Sequence, residues 1–401
     1  MKRTMIIMAA SIAVSTAAVG LSGRAAADDK PIVIGFAVAQ TGWMAPYDNG
    51  YKAAELAIDE LNAKGGIMGR QIKKIYADTK TDRAQGAKAG LEMVEQGADI
   101  VVVSCDYDMG APAALEVSRA GKISWSLCAE DPKMGVQGIG PLAFTGDASA
   151  QLQGAAAAEW AYERKGYKNA YLLLDTSVEY NKSVCYGYEA AVKHLDGAKI
   201  VGSDTFKNDD PSIASQVTRI KNMNPAPDVI EICSYPPGGA AAVRQIRAAG
   251  IKTPMVAATS MDGNYWLDAV PDLSDFTYPV LASIYGDDPR PAVNDFLKRY
   301  QAKYDSLPPE SHTFPGYVMV QLYAQAVEQA KSTDTQKVVA AFESFKDVPT
   351  LLGPYSFTHD LHIQTKFQYT IVTVENGKHR SLEAWTTKTP MTMNDLFRKA
   401  D

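Results

Sequence analysis

The feature that most constrains this chain is an alternation. Apolar, β-branched runs such as Ile32-Val33-Ile34-Gly35-Phe36 are followed by helically spaced apolar residues, here Tyr47, Tyr51, Ala54, Ile58 and Leu61. Strand followed by amphipathic helix is the reading that this change of period supports. Gly65-Gly66 ends the first helix, because glycine takes the left-handed cap without a Cβ penalty. The cycle continues with an expected strand over 72–77, helix 84–96, strand 100–104, helix 110–120 and strand 123–127. Strands separated by helices of this length build a parallel sheet with helices on both faces.

After a glycine-rich connection (Gly135, Gly138, Gly140, Pro141) the alternation restarts. Helices are expected over 148–165, 181–194, 212–222 and 239–249, and strands over 170–174, 199–206, 228–232 and 255–258, so a second sheet begins near residue 149. Three further helical segments follow, the first with Phe296, Tyr300 and Tyr304 on one face, and then extended chain around Phe367 to Val374. These segments are too few for a third domain and are expected to complete the first two. At roughly 150 residues per domain, 401 residues also point to two. The expected fold class is α/β: two doubly wound parallel-sheet lobes with a ligand cleft between them.

Lys2 and Arg3 precede a small-residue-rich apolar stretch from Thr4 to Leu21, and Ala25-Ala26-Ala27 supplies the residues a signal peptidase accepts. Residues 1–27 are read as an export signal cleaved near Ala27, and the mature chain as periplasmic, since no later stretch could span a bilayer. Cys105, Cys128, Cys185 and Cys233 then meet an oxidising compartment, which permits two bridges among three connectivities. None of their spacings, nor of the five histidines, resembles a metal site. With Lys+Arg 40 against Asp+Glu 46 and no basic stripe, nucleic acid is not an expected partner.

One internal echo carries weight. Cys105-Asp106-Tyr107-Asp108-Met109-Gly110 and Cys233-Ser234-Tyr235-Pro236-Pro237-Gly238 share C-x-Y-x-x-G, each between an expected strand and an Ala-rich helix. Two similar lobes would each present a tyrosine at the carboxyl edge of a sheet, where open α/β folds bind ligands. Catalytic signatures do not emerge: Gly138-Ile139-Gly140-Pro141-Leu142-Ala143 fits G-x-G-x-x-A only formally, and no G-x-S-x-G or P-loop occurs. Neither enzyme activity nor a cofactor is expected. The cleft edge offers Trp43, Tyr107, Tyr180, Tyr235 and Trp266, with Ser126, Cys128, Glu130, Thr259, Ser260 and Asp262. That inventory suits holding a small molecule.

Ile34-Gly35-Phe36-Ala37, Thr41-Gly42, the helix end Ala57 to Arg70 carrying ELNAKGGIMGR, and Asp82-Arg83-Ala84-Gln85 resemble the Leu/Ile/Val-binding protein family over nearly the whole mature chain. These are periplasmic solute-binding components of ABC importers with the type I periplasmic-binding fold. The resemblance implies lobe 1 over 28–148 plus 282–365 and lobe 2 over 149–281 plus 366–401. It also implies closure on a small solute and delivery to membrane permease subunits by a protein expected to be monomeric. The alternative is a sensing module of the same fold that signals to a receptor. Within one lobe each, Cys105 with Cys128 and Cys185 with Cys233 become the expected bridges.

By the same resemblance Tyr180 and Tyr235 match cleft tyrosines. Ala129-Glu130-Asp131-Pro132 aligns with a family loop whose threonine holds the ligand carboxylate, and here that position is Glu130. A carboxylate-binding serine falls at Tyr107, and the acid that receives an ammonium falls near Thr259 or Ser260, with Asp262 the nearest acid. A ligand carboxylate beside Glu130 would meet like charge, a penalty on the order of 4 kcal/mol at about 4 Å. An amine, amide or other neutral to cationic solute with an apolar or aromatic body therefore fits better, unless Asp108 merely caps the next helix and Glu130 faces solvent. A carboxylate held on the lobe 2 side would still admit an amino acid.

Overall fold

The structure, a computed structural model, describes residues 30–399. The export signal expected over 1–27 lies outside the described residues. Strand β1 (Ile32–Val38) is followed by helix α1 (Gly50–Ala63), β2 (Ile72–Asp78), α2 (Arg83–Glu95), β3 (Ile100–Val103), α3 (Tyr107–Arg119), β4 (Ile123–Ser126) and β5 (Ala143–Thr145). The five strands pair in the order β2-β1-β3-β4-β5, all parallel. Every residue of Ile-Val-Val-Val in β3 is buried, as expected for a strand covered by helices on both faces.

The second unit runs through α4 (Ala150–Lys165), β6 (Asn169–Asp175), α5 (Glu179–Val192), β7 (Lys199–Phe206), α6 (Ala214–Asn222), β8 (Val229–Cys233), α7 (Gly238–Ala248), β9 (Met255–Ala257) and β10 (Phe276–Val280). The chain then makes α8 (Pro291–Tyr304), α9 (Phe314–Ala330), α10 (Thr335–Glu343), a small hairpin of β11 (Val348–Thr350) and β12 (Gly353–Tyr355), and finally β13 (Gln368–Glu375), β14 (Lys378–Thr386) and α11 (Met393–Leu396). The second sheet has the order β14-β13-β10-β9-β8-β6-β7. Helix α9 packs on α1 of the first unit, whereas β13 and β14 extend the second sheet.

Two differences from the sequence expectation have local causes. The second sheet is mixed, because β13 and β14 are antiparallel to their neighbours. Asn376 and Gly377, both at positive φ, link these two strands, and two such residues in sequence favour a tight antiparallel hairpin. Helix α3 begins at Tyr107 rather than near residue 110. Its cap is Asp106, whose Oδ1 accepts a hydrogen bond from the Met109 N–H at 3.1 Å, so the expected capping role of Asp108 is corrected.

Helices α4 and α5 touch backbone to backbone. A Cβ on Gly154 would lie 1.9 Å from the Val184 oxygen, and one on Gly187 would lie 2.0 Å from the Gln151 oxygen. Side chains larger than hydrogen at these two positions would force the helices apart. Their N-terminal turns, which carry Gln153 and Tyr180, are thereby fixed against each other.

Candidate functional site

The carboxyl ends of the two sheets face one another across a small chamber of about 40 Å³. The loop after β1 brings Trp43, Met44 and Tyr47 to it. The β3–α3 junction brings Cys105, Asp106 and Tyr107, and the loop after β4 brings Glu130 and Asp131. From the second unit come Val178, Tyr180, Tyr235 and Ser260, and the turn before α9 adds His312. Tyr107 and Tyr235, the paired positions of the C-x-Y-x-x-G echo, both line the chamber. Each follows a bridged cysteine: Cys105 is joined to Cys128 and Cys233 to Cys185, with Cα separations of 4.4 and 5.7 Å.

Both units close on the chamber directly. The ring of Trp43 stacks on Tyr235 with centroids 4.9 Å apart, and the Tyr47 hydroxyl donates to the Ser260 carbonyl at 3.0 Å. Beside them, Lys133 pairs with Glu179 at 2.5 Å, and the Glu179 N–H donates to Asp108 at 2.8 Å. Asp108 also pairs with Arg83 of its own unit, so it joins α2 to the first N–H of α5 across the units and does not cap α3.

A chain of hydrogen bonds crosses the floor. The Ser260 N–H donates to the Tyr180 hydroxyl at 3.3 Å, and that hydroxyl donates to Gln153 Oε1 at 2.7 Å. The Gln153 amide donates to Glu130, which faces His312 Nε2 at 3.2 Å, and His312 Nδ1 lies 2.5 Å from Glu310. Burial opposes a charge on His312, but Glu310 and Glu130 on either side of the ring hold its pKa well above the usual imidazole value. The carboxylate of Asp147 belongs to the same buried group as Glu130 and His312, with ligating atoms within 4.8 Å of one another. Burial, reinforced by Glu130, raises its pKa well above the usual carboxylate range.

Asp106 is pushed up to about 8, by burial first and by the nearby Asp108 carboxylate second. An acid whose pKa rises on folding holds its proton more tightly in the fold, so it erodes stability as pH climbs from its unfolded value towards its folded one. Between about pH 6.5 and pH 8 this one group should cost the unliganded protein roughly 2 kcal/mol, and Asp106→Asn should remove that part of the slope. Urea unfolding of both proteins across this range measures it. Parallel slopes for the two proteins would mean that another group carries the dependence.

Of the residues singled out from sequence, Trp43, Tyr107, Glu130, Tyr180, Tyr235 and Ser260 line the chamber. Glu130 is buried and engaged, which corrects the alternative that it faces solvent. The others stand behind the wall. Ser126 donates to the Ser104 carbonyl at 2.8 Å and accepts from the Ala129 N–H at 3.0 Å, which shapes the loop that carries Glu130. Cys128 is in its bridge, and the Thr259 hydroxyl donates to the Pro279 carbonyl at 3.0 Å. Asp262 accepts from the Tyr285 hydroxyl at 2.7 Å and the Ser311 N–H at 2.9 Å. Trp266 belongs to an outer groove, on the far side of Trp43, that also contains Tyr265. Sequence reading passed over Tyr47, Asp131, Gln153 and His312.

The sequence profile described as "Periplasmic binding protein" matches residues 31–378, and the chain belongs to that family. It is similar to "Leu/Ile/Val-binding protein homolog 3" of Brucella melitensis, 25% identical over 350 residues covering 86% of this chain and 92% of the relative. A second relative, "Leu/Ile/Val-binding protein BraC3" of Rhizobium johnstonii, is 26% identical, with 83% and 90% covered. Among solved structures, the branched-chain amino acid transporter substrate binding protein of Streptococcus pneumoniae in complex with isoleucine superposes with a TM-score of 0.78 and 26% identity, covering 89% of this chain and all of that one. A solute binding protein of R. palustris in complex with benzoate shares the fold at TM-score 0.72 and 16% identity, with 88% and 96% covered. The architecture is therefore the type I periplasmic-binding fold. Among the described residues, no helix is long and apolar enough to cross a membrane.

Proposed function

We propose that this chain is the exported solute receptor of an ABC importer of the branched-chain-amino-acid type, released into the periplasm by cleavage near Ala27. In this reading residues 28–148 with 282–365 move as one lobe and residues 149–281 with 366–401 as the other. They close on a small amphipathic solute and, as a monomer, present the closed form to permease subunits. The observation that carries the reading is the chamber itself, walled from both units by Trp43, Tyr107, Tyr180 and Tyr235 and floored by Glu130 and His312. Aromatic area with a few convergent polar groups is the composition of a small-molecule site. The isoleucine-bound relative supports an amino-acid-sized guest.

A thermal-shift panel of amino acids, amides, amines, ureas and aromatic acids tests it. A guest at about 100 times its Kd adds about 2.7 kcal/mol to the unfolding free energy. A panel without any shift would remove the support for solute capture. Stimulation of permease ATPase by the loaded protein separates transport from sensing.

A further inference from the structure

The solute-receptor reading leaves open what the chamber recognises, and the charge arrangement answers that. Three carboxyl groups, of Asp106, Glu130 and Asp131, line the chamber, and its lining contains no lysine or arginine. Asp131 has a guanidinium partner in Arg398, at 3.4 Å behind the wall. Against the remaining acids stands one basic group, His312, and burial holds protons on Asp106 and Asp147 in the absence of a cation. His312 is one imidazolium among Glu130, Glu310 and Asp147, all buried, and Asp106 adds a further carboxyl whose neighbours Asp108 and Asp131 are acids.

Two buried carboxyl oxygens of this group, Asp147 Oδ2 and Glu310 Oε1, have no hydrogen-bond partner, although acceptors taken out of water ordinarily find donors. The same lining carries four large aromatic residues, Trp43, Tyr107, Tyr180 and Tyr235. Aromatic rings around an acidic floor attract a positive head through the ring quadrupole and repel a carboxylate.

We infer that the chamber selects a small organic cation, a primary, quaternary or amidinium head on a short apolar body, rather than a zwitterion held by its carboxylate. This rests on the solute-receptor reading and narrows it. Bound against Glu130 and Asp106, such a head sets a positive charge beside carboxyl groups in a lining that has no lysine or arginine.

Matched probes that differ in head charge test the inference on the mature protein by isothermal titration and thermal shift. The sets are isopentylamine with isovaleramide and isovalerate, benzamidine with benzamide and benzoate, and choline with 3,3-dimethylbutanol. The expected result is that at least one cation binds tenfold or more tightly than its neutral partner, with no binding by the carboxylates. Asp106→Asn keeps the capping oxygen of α3 and should weaken that cation at least tenfold. Tyr235→Leu, which leaves every acid in place, should weaken it also, so the test does not depend on one variant folding. Neutral or anionic members, or leucine, binding as tightly as the cations would overturn the cation assignment and leave solute capture standing. Silence across every cation, amide, carboxylate and amino acid would overturn both.

Discussion

Replacing His312 by leucine should lower the unfolding free energy by about 3–5 kcal/mol, the cost of leaving buried carboxylates without their charge partner. The ring is buried and uses both nitrogens, Nε2 towards Glu130 at 3.2 Å and Nδ1 towards Glu310 at 2.5 Å. Those two acids come from the loop after β4 and from the turn before α9, so the imidazolium fastens two parts of the chain through one ring. His312→Gln keeps a donor for one of them and should recover part of the loss. Urea unfolding near neutral pH measures both variants. A loss below about 1 kcal/mol for the leucine variant would mean that the acids retain their own protons and that the ring is only a neutral spacer.

The opposite sign is expected at Glu231. This residue sits in β8, between β6 and β9, fully buried, and its Oε2 has no hydrogen-bond partner. Burial alone pushes its pKa up to about 8. The unfolded chain ionises this acid near its ordinary value and the fold resists, so the penalty is absent below about pH 4 and grows as pH rises towards 8. Glu231→Met, of similar length and without the carboxyl, should therefore raise the unfolding free energy by about 3 kcal/mol at pH 8. Below about pH 5 the gain should nearly vanish. Equal stability of the two proteins at pH 8 would show that the carboxyl has a compensating partner.

Much of the architecture was legible because buried parallel strands and amphipathic helices write different periods into a sequence. The alternation from Ile32 to Ala257 located these elements to within a few residues. What escaped was short or governed by turns. Strand β5 has three residues inside a glycine-rich connection, and β10 contains Pro279, which weakens any strand signal. The β13–β14 hairpin was announced by Asn376-Gly377, a signal the reading overlooked.

The site was half legible for a related reason. Tyr107 and Tyr235 betrayed themselves through a repeated motif, and Trp43, Tyr180 and Glu130 through strand-end positions and family likeness. His312 lies 182 residues from Glu130 and arrives on a return segment that carries no motif. Gln153 sits inside an alanine-rich helix where a buried amide looks like any surface residue. Distance in sequence concealed His312, and helical context concealed Gln153.

The amide of Gln153 already occupies Glu130, and through its carbonyl it also engages Tyr180 and the Thr259 N–H. The wall therefore already engages one of its own acceptors. A solute that takes Glu130 Oε1 competes with that amide for the same oxygen. Because the displaced side chain is tethered to the opposite half, arrival at one wall is felt at the other without any long-range rearrangement.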